Sequence, residues 1–255
     1  MSVKMIVTDL DGTLLRTDKT ISEYTKAVLS QCRKAGIKIV YATGRGGSAK
    51  IVAPSVYFDG RITMNGAIAK AGETLVYDCL IPHSTARPIL VACDKRGIKI
   101  TSEINDMHYS NFAVSDLWPN MHNYEIVDFS QHDKDAEKIY TPNPTQEDIS
   151  FIEKLLPDNL YLVVTADGNG FLGQIMHRNA TKAKATAALA RYWDISKSEV
   201  VAFGDDYNDI DLVYFVGIGV AMGNAVDEVK TIAGYICLDN DEDGLAKWIE
   251  EHVLY

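Results

Sequence analysis

The stretch Val3-Lys4-Met5-Ile6-Val7-Thr8-Asp9-Leu10-Asp11-Gly12-Thr13-Leu14-Leu15 decides how the rest of the chain is read. An apolar, β-branched start followed at once by polar residues and glycine is the pattern of a buried parallel strand that ends at a turn. Ligands of open α/β sheets bind beyond the carboxyl ends of the strands, where Asp9 and Asp11 fall. Two carboxylates spaced i, i+2 at a strand end repel each other unless a cation or a shared proton lies between them. Hard oxygen donors in a site of phosphate size suggest Mg2+. Asp and Gly are also ordinary turn formers, so Asp9 to Gly12 taken alone read more readily as a plain turn.

Outward from that stretch the strand–helix pattern repeats. Ser22 is the expected cap of a helix running to Ala35, with apolar Ala27, Val28 and Cys32 and with Gly36 to close it. Ile37 to Ala42 reads as a second strand, ending in Thr43-Gly44-Arg45. Strand, helix, strand at this spacing forms a right-handed parallel unit and brings Thr43 beside Asp9. A helix is expected directly after Gly44, with its N-terminus facing the same edge. Further short strands and turns are expected at Val56 to Asp59 and Arg61 to Ala67, with a hairpin around Glu73 to Tyr77.

From His83 to His177 the alternation gives way to strands with two helices, Thr85 to Arg96 and Thr145 to Leu156, and a hairpin turn at 166–170. It resumes after Asn179 with a helix to Trp193, then a strand that ends at Gly204-Asp205-Asp206-Tyr207-Asn208-Asp209. Helices after Asp209 and at Ala225 to Ala233 and Asp243 to His252 flank strands at Gly217 to Met222 and Tyr235 to Leu238. The acidic run Asp239 to Asp243 reads as a solvated turn capping the last helix. The predicted fold class is α/β: a Rossmann-like doubly wound parallel sheet of residues 1–82 and 178–255, interrupted by an α+β domain at 83–177.

The formal net charge of −10 argues against nucleic acid or an anionic membrane as a partner. A small anionic ligand stays compatible, because a cation and a few basic side chains reverse the local field. No apolar stretch is long enough to span a bilayer, and the start of the chain lacks a signal-peptide pattern. Widely spaced Cys32, Cys79, Cys93 and Cys237 read as reduced thiols of a cytoplasmic protein. A monomer or a homodimer is expected.

Asp9 with Asp11, Thr43-Gly44, Lys182 at a helix start, and Asp205 with Asn208 and Asp209 converge on one sheet edge. Their order resembles the four motifs of the haloacid dehalogenase superfamily of phosphatases. Ile62-Thr63-Met64-Asn65-Gly66-Ala67 and Gly217-Ile218-Gly219-Val220-Ala221-Met222-Gly223-Asn224-Ala225 are similar to stretches of its Cof-type subfamily. Residues 83–177 resemble that subfamily's C2B-type cap, which closes over the active site and lines the leaving-group pocket.

The resemblance implies a Mg2+-dependent phosphomonoesterase of small phosphorylated metabolites, sugar phosphates first. Asp9 would be the nucleophile that forms an aspartyl-phosphate, and Asp11 the acid and base. Asp9, the Asp11 carbonyl, Asp205 and Asp209 would serve the metal. Thr43, Gly44 and Lys182 would bind phosphate, with Asn208 orienting Lys182 or the phosphate. Arg45 and Asn65 would face the substrate, and Asn105, Asp106, His108 or Asp167 are candidate specificity positions. Asp206, where the family often has Asn, Ser or Gly, is either a solvated carboxylate or a partner behind the metal.

Other readings are a phosphatase of pyridoxal phosphate or FMN, a phosphomutase, and a catalytically idle sugar-binding protein. A phospho-acceptor signalling module would instead use Asp59 as its acceptor. A nicotinamide-binding protein is disfavoured, because no Gly-x-Gly-x-x-Gly follows the first strand.

Overall fold

The structure, a computed structural model, describes residues 2–168 and 170–254, and the backbone alone of Asp167. The expected hairpin turn at 166–170 and the Asp167 side chain thus lie partly outside the described residues. Two compact units divide the chain: Met1–Asp78 with Thr181–Tyr255, and Cys79–Ala180.

The discontinuous unit begins with β1 (Met5–Thr8), α1 (Glu23–Lys34), β2 (Lys38–Ala42), α2 (Ala49–Val52), β3 (Gly60–Thr63), β4 (Ile68–Ala71) and β5 (Thr74–Asp78). Ser22 caps α1 as the sequence indicates, its side chain accepting the Thr25 N–H. Two expectations fail here. Only the four residues of α2 are helical after Gly44, because Gly46 and Gly47 disfavour helix and Ile51, exposed, gives it no apolar face to bury. No strand forms at Val56 to Asp59; a 3-10 turn at Ser55–Tyr57 stands there, since β3 occupies the place beside β2.

The inserted unit holds α3 (His83–Lys95), β6 (Thr101–Ile104), β7 (Met107–Ser110), β8 (Tyr124–Ile126), β9 (Lys138–Pro142), α4 (Gln146–Leu155), β10 (Leu160–Asp167) and β11 (Gly170–His177). Its six strands run in the order β10-β11-β9-β6-β7-β8, antiparallel except for the β7–β8 pair. Ile89 and Leu90 of α3 and Ile152 of α4 pack with Ile139 and Ile175 into a separate apolar core. Asn105 and Asp106, both at positive φ, form the β6–β7 turn.

The chain then returns through α5 (Lys182–Tyr192), β12 (Val200–Gly204), α6 (Ile210–Phe215), β13 (Ile218–Ala221), α7 (Asp227–Ile232), β14 (Tyr235–Ile236) and α8 (Gly244–Ile249). These strands complete an eight-stranded sheet in the order β14-β13-β12-β1-β2-β3-β4-β5. β1 pairs in parallel with β2 on one side and β12 on the other, so the winding reverses at β1. Alternate β1 residues feed opposite layers. Ile6 packs with Ile39, Val28 and Leu29, whereas Met5 and Val7 pack with Val40, Ile62, Ala185 and Leu189. Helices therefore cover both faces, leaving the carboxyl ends of β1, β2 and β12 to carry polar residues. No helix among the described residues is long and apolar enough to cross a membrane.

The acidic run is not a free solvated turn. Asp243 accepts from Arg16 at 2.6 Å and from Thr25 at 3.1 Å, and Asp241 takes both the N–H and the hydroxyl of Thr17. These carboxylates tie the segment before α8 to the loop after β1 and to α1, and the Asp243 side chain makes no cap bond to α8.

Candidate active site

Asp9 follows β1 directly, where the winding reverses, and is 6% exposed. Its Oδ1 accepts from Lys182 Nζ at 2.6 Å, and the same ammonium donates to Asp209 Oδ1, also at 2.6 Å. Lys182 is the first residue of α5. Thr181 caps that helix through the Lys184 N–H and lies against Gly66, where a Cβ would overlap the Thr181 backbone. Gly66, at φ +103°, thus fixes where α5 starts.

Asp205 follows β12 and accepts the Thr13 hydroxyl at 2.6 Å. Gly12, at φ +82°, lets the loop pass; a Cβ there would overlap the Asp205 carboxylate. Asp209 is fully buried, and its second oxygen accepts the backbone N–H of Asp205 and Asp206. One oxygen each of Asp9, Asp205 and Asp209 lies within 4.8 Å of the others.

Three carboxylates lie together here, and the one ammonium among them pairs with two, Asp9 and Asp209. Burial pushes the Asp9 carboxyl up to about 8 against the pull of Lys182, with Asp209 and Asp205 adding to the rise. Asp205 is raised to about 6, again first by burial, with the Thr13 hydroxyl opposing it. Lys182 moves the other way to burial: its two carboxylate partners outweigh desolvation and hold the ammonium charged. A hard-oxygen cluster with more negative charge than its one cation balances is a fitting donor set for Mg2+.

Asp11 stands apart from that cluster. Its carboxylate takes a bidentate pair from Arg45, Nε at 2.5 Å and Nη2 at 2.7 Å, and a third bond from Lys19 at 2.8 Å. The Arg45 bonds first, with Lys19 adding and partial burial opposing, hold it down to about 2. The Asp9–Asp11 repulsion expected from the sequence is eased by separate side-chain cations, Lys182 on Asp9 and Arg45 with Lys19 on Asp11. Arg45, expected to face substrate, binds Asp11, because a guanidinium fork matches a carboxylate.

Thr43 is buried at the end of β2, its hydroxyl accepting the Arg45 N–H at 3.1 Å. Asn65, at φ 54°, lies against Gly44, and its Oδ1 accepts from Asn208 Nδ2 at 3.0 Å. Asn208 thus orients Asn65 rather than Lys182. Asp206 is exposed, the solvated carboxylate of the two readings; its side chain accepts the Tyr207 N–H and caps the turn at Tyr207–Asp209. Asp59 lies at the opposite, amino-terminal edge, with its carboxylate on Ile39 N–H and Arg33, which removes the signalling acceptor.

Thr13, Lys19 and Asn224 carry contacts to this site that the sequence reading left without a role. Thr13 and Asn224 sit inside stretches quoted for their family resemblance, and that was the signal available. Asn105 and Asp106 belong to a turn, and His108 is buried against Tyr140, its Nδ1 3.2 Å from the hydroxyl.

Residues 6–249 match the haloacid dehalogenase-like hydrolase family. A Haemophilus influenzae protein whose name, still provisional, is phosphatase is 31% identical over 98% of both chains. A Bacillus subtilis 5-amino-6-(5-phospho-D-ribitylamino)uracil phosphatase is 26% identical over 97% of both. Among solved structures, a sugar phosphatase of subclass IIB superposes with a TM-score of 0.79 at 26% identity, covering 99% of this chain and 100% of its own. With its α/β core, its inserted α+β unit and its matched motifs, this chain belongs to the haloacid dehalogenase-like hydrolases and is a phosphatase of the Cof type.

Proposed function

We propose that the chain is a Mg2+-dependent phosphomonoesterase that carries the phosphoryl group on Asp9. One observation supports this above the rest: Asp9, at the end of β1, shares Lys182 with Asp209 and lies in an oxygen cluster with Asp205. Phosphoryl transfer needs an in-line nucleophile, positive charge on the equatorial oxygens and a proton for the leaving oxygen.

Asp9 supplies the nucleophile. Its carboxylate oxygen bonds to phosphorus as the ester P–O bond breaks, and Asp11 hands its proton to the leaving oxygen. Water then bonds to phosphorus, its proton passes to Asp11, and the Asp9–phosphorus bond opens to give phosphate and a free carboxylate. Lys182, the Thr43 hydroxyl and the Gly44 N–H take the phosphoryl oxygens. Asp9, Asp205 and the Asp11 carbonyl would hold Mg2+, with Asp209 behind them. When bound, the ion supplies the charge that lets carboxylate and phosphate approach each other. Asp11, charged while paired with Arg45 and Lys19, acts as an acid only after leaving them and taking a proton from water, so the reading requires those pairs to open as the phosphate ester draws the cations to itself.

Residues 79–180 serve as the cap and select the leaving group. The names of two relatives share a phosphate on a sugar or ribityl chain, which supports a polyhydroxylated phosphate ester as substrate. The buried thiols Cys32 and Cys93, both free, support a reducing, cytoplasmic setting.

The test is phosphate release from hexose and pentose phosphates, ribitol 5-phosphate, pyridoxal phosphate and FMN with Mg2+. The polyhydroxylated esters, with the ribityl phosphate of FMN among them, are expected to show the highest kcat/KM; a clear preference for pyridoxal phosphate would reassign the substrate. An isomeric monophosphate as product, with no phosphate release, would make the enzyme a mutase.

A further inference from the structure

The Gly223-Asn224-Ala225 stretch carries the family resemblance, yet the mechanism above gives it no task. In the structure Asn224 Nδ2 donates to the Gly12 carbonyl at 2.8 Å, and its Oδ1 accepts the Asn240 N–H at 3.0 Å. Asn240 Nδ2 in turn donates to the Leu15 carbonyl at 2.9 Å. Asp11 and Leu15 bridge each other through their backbones, so the two amides grip the turn that begins at Asp11.

That turn needs an outside hold. Gly12 lies in the left-handed region and has no side chain, so nothing of its own resists rotation of the Gly12–Thr13 peptide. Besides the turn's own bond from the Thr13 N–H to the Leu10 carbonyl at 3.4 Å, two contacts from outside hold it: the Thr13 hydroxyl on Asp205 and the Gly12 carbonyl on Asn224. Asn224 has a firm base, because the Met222 N–H bonds the Gly204 carbonyl and the Val226 N–H bonds the Asp205 carbonyl at 2.9 Å. Asn224 and Asp205 therefore belong to one braced loop pair that grips the peptide following Asp11.

We infer that Asn224 is a positioning residue for proton transfer by Asp11, acting through the Gly12 carbonyl. The inference rests on the acid role given to Asp11 above. Thr43 and Lys182, set by other bonds, do not depend on Asn224, so these direct contacts to phosphate survive its loss while delivery of the proton does not. A plain loop brace would slow every substrate alike. A positioning residue for the acid slows most the esters whose leaving oxygen needs the proton.

The experiment compares glucose 6-phosphate, with an alkoxide leaving group, and p-nitrophenyl phosphate, whose phenolate leaves unaided. Wild type, Asn224→Ala, Asn224→Asp and Asp11→Asn are assayed with Mg2+, and folding is checked by circular dichroism. Asn224→Asp keeps the shape but sets an oxygen against the Gly12 carbonyl. Both Asn224 variants are expected to lose kcat about 10-fold or more on the sugar phosphate and under about threefold on the aryl ester, with KM within about twofold. Asn240→Ala, which removes only the Leu15 contact, shows the same pattern at smaller size and serves if Asn224→Ala does not fold. Equal losses on both substrates, or none, overturn the inference. Asp11→Asn separates the two claims: if it shows leaving-group dependence and the Asn224 variants do not, only the inference falls. If Asp11→Asn shows none, the acid role falls and the inference with it.

Discussion

Lys182 donates to Asp9 at 2.6 Å from a side chain that solvent does not reach, and it does the same to Asp209. Removing one partner of a buried ion pair leaves an uncompensated charge, at a cost of about 3–5 kcal/mol. Lys182→Met is expected to lower the denaturation midpoint by several degrees and to cut turnover by about 100-fold or more. Adding Asp209→Asn relieves part of the stability loss, because one stranded carboxylate is then gone. Thermal scans of the single and double variants measure this; a single variant as stable as wild type would contradict it.

Asp9→Asn is expected to abolish phosphate release while leaving the fold intact, and acid-quenched wild type should yield a phosphorylated peptide containing Asp9. EDTA silences the wild type and Mg2+ restores it. Substantial Mg2+-dependent turnover by Asp9→Asn would refute the covalent route, and full activity in chelator would refute the metal.

Gly12→Ala and Gly36→Ala form a matched pair. Both glycines lie in the left-handed region, at φ +82° and +84°, but only at Gly12 does a Cβ meet another group, the Asp205 carboxylate. Each variant carries about 1 kcal/mol of backbone strain. Only Gly12→Ala should also lose activity, by about 100-fold, since Asp205 or the loop has to move. Kinetics and urea melts of the two variants decide it, and equal activity would remove the Asp205 contact as a constraint.

His108 carries a signed pH effect in the inserted unit. Burial holds its imidazolium below the usual range, with Glu103 only partly offsetting. The unfolded chain therefore binds this proton first as pH falls below about 6.5, so the histidine lowers stability from there down to its folded value. Urea midpoints at pH 7.5 and 5.5 should differ more for wild type than for His108→Gln. An unchanged difference would mean that His108 does not titrate on unfolding.

Sequence showed most where the chain's own neighbours decide the outcome. Ser22, Thr145 and Thr181 cap helices through residues three positions on; Ser22 was read as a cap, and the other two stand where those helices were expected to begin. The strand ends that deliver Asp9, Thr43 and Asp205 follow equally local apolar runs. What escaped the reading depends on distant partners. Asp243 finds Arg16, Arg45 turns to Asp11, and Asn208 reaches Asn65 across the sheet edge. No spacing rule signals those meetings, because they exist only once β1 lies between β2 and β12.

β1 pairs along one side with β2, close behind it in the chain, and along the other with β12, placing Met5 opposite Val200. During synthesis the first strand therefore keeps one row of amides and carbonyls open until nearly the whole chain has left the ribosome. The inserted residues, contiguous and with an apolar core of their own, are complete at Ala180, ahead of β12. Nascent chains halted before β12 should thus hold a folded middle and a bare sheet edge, the state most prone to stick to its own kind.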